Sequence, residues 1–428
     1  MNALRLFPVL ILATTLTAGA ADTSPAQPPA IAPAINALGL DLYRAQAKSA
    51  GDDNLLLSPY SIATALAMTY AGADGVTLAE MQQVLRFPRG GQATSEAFQA
   101  LSRQLAQVVS SSERQVATMK QRGADATPIQ LLVANRLYAQ QGFALRPAFL
   151  AQLAERFEST LEEVDFSGHP DQTREIINQW IADHTKGKIQ DMLPKGLPAP
   201  TTRLALVNAL YLKASWQTAF DAKATKPDTF LLRGRDAVQV PTMFTAQRLG
   251  FAQRDGYKVV ALPYLGEELQ LVLLVPDQPA GLGSLEKTLT ADALADCARL
   301  TEREVRLHLP KFKLEPPTVS LGKSLQSLGL NTAFDLPTGS ANFDRMAPRK
   351  PDDYLYIGEV LHKTWLALDE NGTEAAAATV VLMLLASGAP PRNEPPPLEV
   401  RVDRPFLFAI QHVPSGTCLF LGRVTDPR

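Results

Sequence analysis

The sequence predicts one large domain of the α+β class. Helix-like segments with one apolar face and strand-like runs of apolar residues follow each other along residues 35–428. The composition is that of a globular protein, with 46% hydrophobic and 20% charged residues. Single cores tend to divide beyond about 250–300 residues, so a length of 428 residues taken alone suggests two domains. However, no linker of Pro, Gly and Ser and no internal repeat divides residues 35–428, which favours one unit.

The N-terminal segment has the features of a cleaved secretory signal. Residues 1–20 contain one arginine, the apolar run Leu6–Leu12 and the small residues Ala18–Ala20. Residues 21–34 are rich in Pro and Ala without periodicity, which is typical of a disordered linker. No later stretch reaches the roughly 18–20 apolar residues that span a bilayer. We therefore expect a secreted or periplasmic protein whose ordered part begins near residue 35.

Charge and cysteine content limit the partners. A formal net charge of −2 gives no attraction to nucleic acid or to an anionic membrane. The basic residues Arg114, Lys120 and Arg122 are too sparse to predict a heparin-type polyanion site. Cys297 and Cys418 allow at most one disulfide bond, and a single distant pair favours two buried thiols while leaving a bond open.

The first ordered block predicts a short strand followed by two helices. Asn54–Leu57 is an apolar run, and Pro59 ends it and begins a helix that has Ile62 on its buried face. Thr77 and Glu80 have the spacing of a capping box, in which each side chain satisfies a free backbone amide of the other residue. We therefore expect the second helix to begin at Thr77.

The middle of the chain predicts a sheet with a helix over it. Four strand-like runs occur at Leu131–Tyr138, Leu204–Leu212, Leu269–Pro276 and Val305–Phe312. Glu175–His184 has helical spacing, with Ile176, Ile177, Trp180 and Ile181 on one face. Gly187 follows this helix and is placed to cap its C-terminal end.

Glu370–Leu385 combines a hinge-like start with an apolar strand-like end. Asn371-Gly372 favours a turn, and the four alanines Ala375–Ala378 carry almost no side-chain entropy, so this segment can change conformation cheaply. In a strand, one face carries Thr373, Ala375, Ala377, Thr379, Val381, Met383 and Leu385. A buried core helix or strand over Glu374–Ala386 is the alternative that composition leaves open.

Several of these motifs resemble the serpin family. The hinge of the serpin reactive-centre loop is matched by Glu370, Gly372, Thr373, Glu374, Ala375, Ala376, Ala377, Ala378 and Thr379. The two C-terminal serpin strands are matched by Asp403–Phe408 and Leu419–Val424, and Asn54–Leu85 resembles the N-terminal signature. The resemblance covers residues 35–427. It implies the serpin fold, with a dominant mixed sheet, two smaller sheets, about eight to nine helices and an exposed reactive-centre loop over about residues 370–400.

The resemblance also assigns a polar cluster beneath the large sheet. The serpin shutter residues are matched by Ser58, Ser61, Asn208 and His362, and Trp216 matches the tryptophan at the top of the sheet. Such a cluster would hold two strands together in a way that can rearrange, because buried polar groups must be hydrogen-bonded. The alternative is that these are unrelated polar residues at element ends. Ala214 stands where the family usually has Gly, which leaves the local turn open.

The implied function is one-use inhibition of serine proteases, extending to papain-like cysteine proteases. The protease forms an acyl-enzyme on the loop, and the cleaved loop then inserts into the large sheet and traps it. No catalytic residue, metal or cofactor is expected, and we do not expect an enzyme. A hydrolase whose catalytic residues come together only in space is one alternative, because catalytic triads are recognised by geometry and not by sequence order. The partner is the target protease in a covalent acyl complex, and the protein itself is expected to be a monomer that tends to form loop-sheet polymers. A non-inhibitory serpin that acts as a binding or chaperone-like module is the alternative.

Counting from the hinge glutamate places the reactive bond at Ala386-Ser387. Leu384, Leu385 and Arg392 are rival cleavage sites. A small residue before the bond suits elastase-like and subtilisin-like enzymes, whereas a leucine suits chymotrypsin-like ones. Asn371-Gly372-Thr373 is a glycosylation sequon within the hinge, where a glycan would obstruct insertion. The sequon therefore favours a source without routine Asn glycosylation, and we expect a bacterial one.

Overall fold

The computed structural model describes residues 30–123, 126–232, 236–374 and 396–428. The predicted signal peptide lies outside these residues, as does most of the predicted linker. The described helices are α1 (Ala32–Ala50), α2 (Pro59–Gly72), α3 (Gly75–Leu85), α4 (Gly91–Gln121), α5 (Pro147–Phe157), α6 (Pro170–His184), α7 (Leu282–Thr288), α8 (Ala291–Ala295) and α9 (Gly322–Ser327). None of the helices in the described ranges is long and apolar enough to cross a membrane.

The described strands form two hydrogen-bonded groups. They are β1 (Leu55–Leu57), β2 (Gln130–Gln140), β3 (Leu161–Val164), β4 (Leu204–Ser215), β5 (Lys226–Leu232), β6 (Asp236–Arg254), β7 (Tyr257–Pro263), β8 (Leu269–Pro276), β9 (Glu302–Pro310), β10 (Phe312–Leu314), β11 (Val319–Ser320), β12 (Ile357–Thr364), β13 (Leu366–Asp369), β14 (Gly372–Thr373), β15 (Leu398–Arg401), β16 (Phe406–His412) and β17 (Thr417–Val424). The predicted mixture of helices and sheets, and with it the α+β class, is confirmed.

We call the eight-stranded group the hinge sheet. Its order is β10-β13-β14-β4-β12-β11, and β2 pairs with both β3 and β4. At its centre, β4 runs antiparallel to β2 and parallel to β12. Leu204, Leu206, Leu210 and Leu212 of β4 join the main core on one side of the sheet. Ala205, Val207, Ala209 and Tyr211 alternate with them and join a smaller core that includes Ile177 and Ile181 of α6. Both faces are therefore covered, which explains the nearly continuous apolar sequence of β4.

The second group has nine strands in the order β1-β17-β16-β8-β7-β6-β9-β15, with β5 also paired to β6. Two smaller sheets were expected here, and the long strand β6 joins them. Its 19 residues pair with β5 over Asp236–Thr242, with β9 over Thr242–Gly250 and with β7 over Gly250–Arg254. Because β6 is hydrogen-bonded along its whole length, the two smaller sheets expected from the family resemblance form one connected group.

Two predicted helix starts differ from the structure. Helix α1 begins at Ala32, inside the predicted linker, because Pro33 fits the first helical turn and Ile35 is fully buried. Helix α3 begins at Gly75, and the predicted capping box of Thr77 and Glu80 does not form. The Thr77 hydroxyl accepts from the backbone N–H of Asn342 at 3.0 Å, and the Glu80 carboxylate accepts from residues 331–332. Both side chains thus satisfy a distant loop instead of their own helix.

Helix α6 is longer than predicted and has a narrower buried face. It begins at Pro170, and Ile177 and Ile181 are fully buried, whereas Ile176 is 41% exposed. The predicted cap is present: Gly187 has φ +73° and donates its N–H to the Ala182 carbonyl at 2.8 Å. The C-terminal end of α6 is therefore fixed by this cap.

The cysteines and Ala214 resolve two points that the sequence left open. Cys297 and Cys418 are both buried free thiols. Ala214 is fully buried and extended within β4, where it pairs with Thr373, so no turn occurs at this position. The departure from the family's usual glycine is therefore accommodated by a regular strand.

The two isoleucines of α6 provide a matched test of this packing. We expect Ile181→Ala to destabilise the uncleaved protein by about 2–5 kcal/mol, because it opens a cavity between α6 and the hinge sheet. Ile176→Ala on the same helix should cost much less, about 0.5 kcal/mol, since Ile176 is 41% exposed and is not part of this core. Thermal unfolding midpoints measure both, and equal losses in the two variants would contradict this position of α6.

Candidate functional site

The four predicted shutter residues come together where β12 meets β4. His362 pairs with Asn208 across the parallel strands, and its Nδ1 hydrogen-bonds the Asn208 Oδ1. The His362 Nε2 accepts from the backbone N–H of Ser58 at 2.9 Å, and Ser58 caps α2 by accepting from the Ser61 N–H at 3.1 Å. We call Ser58, Ser61, Asn208 and His362 the shutter cluster. All four are buried, so the cluster ties α2 to the middle of the hinge sheet.

These contacts fix the charge state of His362. An amide oxygen can only accept, so Nδ1 carries the proton, and Nε2 must be unprotonated to accept from Ser58. The imidazole is therefore neutral. Burial lowers its pKa from 6.5 to about 3, which agrees with that assignment. The shutter cluster is held by neutral hydrogen bonds alone.

Sequence reasoning missed one member of this neighbourhood. Asn135 of β2 accepts from the Ser61 hydroxyl at 2.9 Å and donates to the Ser61 carbonyl at 3.3 Å. It lies in register with Asn208 on the neighbouring strand. The isolated asparagine within the apolar run of residues 131–138 was the signal that could have indicated it.

The upper end of the hinge sheet holds the start of the predicted loop. Trp216 donates its indole N–H to the Asp369 carbonyl at 3.0 Å and stacks on Tyr264 with ring centroids 4.6 Å apart. The Tyr264 hydroxyl hydrogen-bonds the Thr373 hydroxyl at 2.6 Å. Thr373 is fully buried. The predicted tryptophan thus lies beside the hinge, and Tyr264 connects the two.

Glu370 is anchored by two residues that sequence reasoning did not identify. Its carboxylate lies 2.8 Å from the Lys311 ammonium and accepts from the Thr225 hydroxyl at 2.8 Å. Burial opposes ionisation here, but the hydrogen bonds from Lys311 and Thr225 keep the pKa of Glu370 below its usual value. The hinge therefore begins at a charged, fixed residue.

The next two hinge residues already form a strand. Gly372 and Thr373 constitute β14, which lies between β13 and β4 and pairs with Ser215 and Ala214. Gly372 has φ +150°, and a Cβ added there would lie 2.0 Å from the Ala214 carbonyl oxygen. Only glycine allows this approach of the two backbones.

Below β14, β4 lacks a partner on one side. Its pairing with β12 ends at Leu210, and its pairing with β14 begins at Ala214. Within the described residues, no strand pairs with residues 211–213 on that side. On this side, β4 is therefore paired with β12 over residues 204–210 and with β14 at residues 214–215. The seam between β4 and β12 is open at residues 211–213.

The remaining predicted site residues lie outside the described residues. They are Ala375, Ala376, Ala377, Ala378, Thr379, Leu384, Leu385, Ala386, Ser387 and Arg392. The described chain resumes before β15, which runs parallel to β9 in the second sheet.

Comparison with known proteins identifies the family. A model of the serpin (serine protease inhibitor) family matches residues 33–427. The leukocyte elastase inhibitor of Bos taurus is 34% identical over 397 residues, which cover 91% of this chain and 97% of that protein. An uncharacterized serpin-like protein of Thermococcus kodakarensis is 33% identical, covering 92% of this chain and 85% of that protein.

Solved structures agree with this assignment. The crystal structure of Serpin48 from the insect Tenebrio molitor has a TM-score of 0.77 and 30% identity, covering 93% of this chain and 98% of that chain. Uncleaved ovalbumin has a TM-score of 0.76 at 25% identity, covering 93% of this chain and all of that chain. The fold is that of the serpin (serine protease inhibitor) family, and the chain belongs to the serpins.

The shutter cluster predicts a pH dependence of stability. His362 has an unfolded pKa near 6.5 and a folded pKa of about 3, so the unfolded chain binds more protons between these values. Stability therefore falls on acidification, by on the order of 3 kcal/mol for this group at pH 4. His362→Gln should flatten the decline between pH 6.5 and 4, as measured by thermal midpoints. His412, with its pKa lowered to about 4 by burial, titrates in both proteins. Identical pH slopes for the two proteins would refute the assignment.

Proposed function

We propose that this serpin is a one-use, suicide-substrate inhibitor of serine proteases with elastase-, subtilisin- or chymotrypsin-like specificity. The observation that carries the proposal is β14: the first hinge residues already occupy the sheet, at the top of the seam between β4 and β12. A protease that cleaves the loop forms an acyl-enzyme. The hinge then extends β14 down the seam before water deacylates the complex, and the attached protease is carried along and distorted.

The register of β14 fixes how the rest of the loop would pair. Gly372 lies opposite Ser215 and Thr373 opposite Ala214, so antiparallel pairing continues residue by residue down β4. The 12 residues of β4 would accommodate Gly372–Met383, with Met383 opposite Leu204. Each added main-chain hydrogen bond stabilises the product by roughly 0.5–1.5 kcal/mol. Insertion of about a dozen residues is therefore irreversible in practice.

This register also matches side chains to faces. Thr373 faces inward, so Ala375, Ala377, Thr379, Val381 and Met383 would face inward too, opposite the core-facing residues of β4. All of these residues are small or apolar. Thr379, which carries a hydroxyl, would lie opposite Asn208 in the shutter cluster. A threonine hydroxyl there can replace hydrogen bonds that Asn208 and His362 lose as the strands part. No inward position carries a charge or a bulky polar group, which supports inhibition over the alternative of a binding module.

The same register supports the proposed reactive bond. Ala386 lies three residues beyond Met383, the last residue that β4 can pair, so an acyl group on Ala386 would clear the end of the strand. Arg392 lies nine residues beyond Met383, across a segment that includes Pro390 and Pro391, which cannot donate to a ladder. We infer that cleavage after Arg392 gives a released substrate, whereas cleavage after Ala386 gives a trapped protease.

The setting follows from the sequence features. Residues 1–20 support export to the periplasm or the extracellular space, and the sequon at Asn371 supports a bacterial source. The protein acts as a monomer, and its apolar residues 380–385 favour loop-sheet polymers on heating. The partner is the target protease in a covalent acyl complex, and papain-like cysteine proteases are a further class. Neither nucleic acid, membrane nor heparin is part of this function.

Thr373→Arg tests insertion. We expect the variant to be cleaved without trapping the protease, because an inward arginine would bury an unpaired charge at a cost of several kcal/mol. The readout is the covalent, denaturant-resistant complex with an elastase-like protease on a gel. Thr373→Ser, which keeps the hydroxyl beside Tyr264, serves as the control and should still trap. Full trapping by the arginine variant would exclude the mechanism.

The cleavage site has a separate test. Mass spectrometry of the peptide released from the complex with an elastase-like protease should give a fragment that begins at Ser387. Fragments that begin at Leu385 or Ala386 would move the bond to the rival leucines. A fragment that begins at Asn393 would mean that Arg392 is the reactive residue and that the register argument fails.

A further inference from the structure

Glu374, the last described hinge residue, is held in a conformation that ends the strand. Its φ is +46°, in the left-handed region that costs a non-glycine residue roughly 1–2 kcal/mol. Its backbone N–H donates to the Ala367 carbonyl at 2.9 Å. Because a strand requires an extended backbone, Glu374 must leave this conformation before β14 can lengthen.

A lysine from outside the sheet holds the Glu374 side chain. The Lys188 ammonium lies 2.5 Å from Oε1 of Glu374, whose side chain is only 16% exposed. Lys188 follows the capped end of α6, and its ammonium also lies over the Trp365 ring, 4.9 Å from the centroid. The hinge is thereby tied to the helix that covers the outer face of the hinge sheet.

The present contact leaves part of the carboxylate unsatisfied. Oε2 of Glu374 is buried and accepts no hydrogen bond from any described residue. The Tyr211 hydroxyl lies close to this carboxylate, since the pKa of Tyr211 is raised first by burial and then by Glu374. A second cation near Glu374 would therefore find a free acceptor.

The strand register brings such a cation to Glu374 after insertion. Continuing from Thr373 opposite Ala214, the next pair is Glu374 opposite Lys213. Thr373 faces the core, so this pair faces outward, and directly opposite residues have Cβ atoms about 4.5–5.5 Å apart. The Lys213 ammonium makes no hydrogen bond or ion pair with the rest of the described chain, and Lys213 borders the open part of the seam.

We propose that Glu374 exchanges Lys188 for Lys213 as the loop begins to insert. Lys188 is a positioning residue that keeps the hinge at the two-residue stage until the loop is cleaved. Lys213 is a positioning residue that receives Glu374 at the first step of insertion. The inference rests on the proposed inhibitory function and adds to it a pair of residues that control when insertion starts.

The test is whether substitutions of Lys188 and Lys213 change protease trapping in opposite directions. A partly exposed ion pair such as Lys188–Glu374, in which the lysine side chain is 39% exposed, changes a rate by roughly two- to five-fold. With an elastase-like protease, Lys213→Gln should raise the ratio of turnover to trapping by about that factor, and Lys188→Gln should lower it. Lys195→Gln is the matched control: this exposed lysine lines the same pocket as Pro170, at the opposite end of α6 from Lys188, so its substitution should leave the ratio unchanged.

The glutamate background separates the exchange from a general effect of charge. In Glu374→Gln, neither lysine substitution should change the ratio, because the shared carboxylate is absent. Changes in the same direction for both lysines would overturn the proposal. So would an effect of either lysine that persists in the Glu374→Gln background.

A readout without trapping distinguishes failure of the exchange from failure of the proposed function. The thermal midpoint is measured before and after loop cleavage by any protease. If wild type traps no protease but gains heat resistance on cleavage, the proposed function fails. The exchange is then supported if Lys213→Gln lowers the thermal midpoint of the cleaved form but not that of the intact form. Lys188→Gln should do the reverse and lower the midpoint of the intact form only. Equal midpoints in all variants, or no gain for wild type, overturn it.

Discussion

The parallel pairing of β4 with β12 is the interaction on which the rest of the structure depends. The β4 side of this seam is buried and apolar except at Asn208, which pairs with His362 at the centre. The hydrogen bonds of these two side chains to each other and to Ser58 can be exchanged for other hydrogen bonds when the strands separate. Purely apolar contacts between the strands would be lost without such a replacement. An inserting strand requires a pairing of β4 with β12 that is stable but can be replaced by new pairing.

The surroundings of the seam follow from this requirement. Above it, Glu370 and Thr373 are anchored, so the loop starts in register. Over its outer face lies α6, whose Trp180 also receives the Arg136 guanidinium at 4.3 Å. If the loop inserts in the proposed register, Val380 and Leu382 would face outward, opposite Val207 and Ala205. Under the proposed mechanism, α6 would have to move aside and then repack on these apolar side chains, which would couple the stability of α6 to the rate of insertion.

Much of this arrangement was accessible from sequence. Period-two and buried apolar runs predicted β4 and β8, with β8 matching residue for residue. The family motif also selected four polar residues, Ser58, Ser61, Asn208 and His362, that lie together in the structure. Contacts between distant segments were not accessible. Lys311, Thr225 and Lys188 touch the hinge only because strand register and the turn after α6 bring them there, and no local pattern marks them. The capping box at Thr77 and Glu80 failed for the same reason, since a loop more than 250 residues away competes for both side chains.

We propose that the cleaved loop becomes a strand between β4 and β12 in the register set by β14. A crystal structure of the loop-cleaved protein tests this proposal. We expect a new strand with Glu374 opposite Lys213 and Thr379 opposite Asn208, and His362 no longer paired with Asn208. A cleaved structure in which His362 still pairs with Asn208 across β12 and β4 would contradict it.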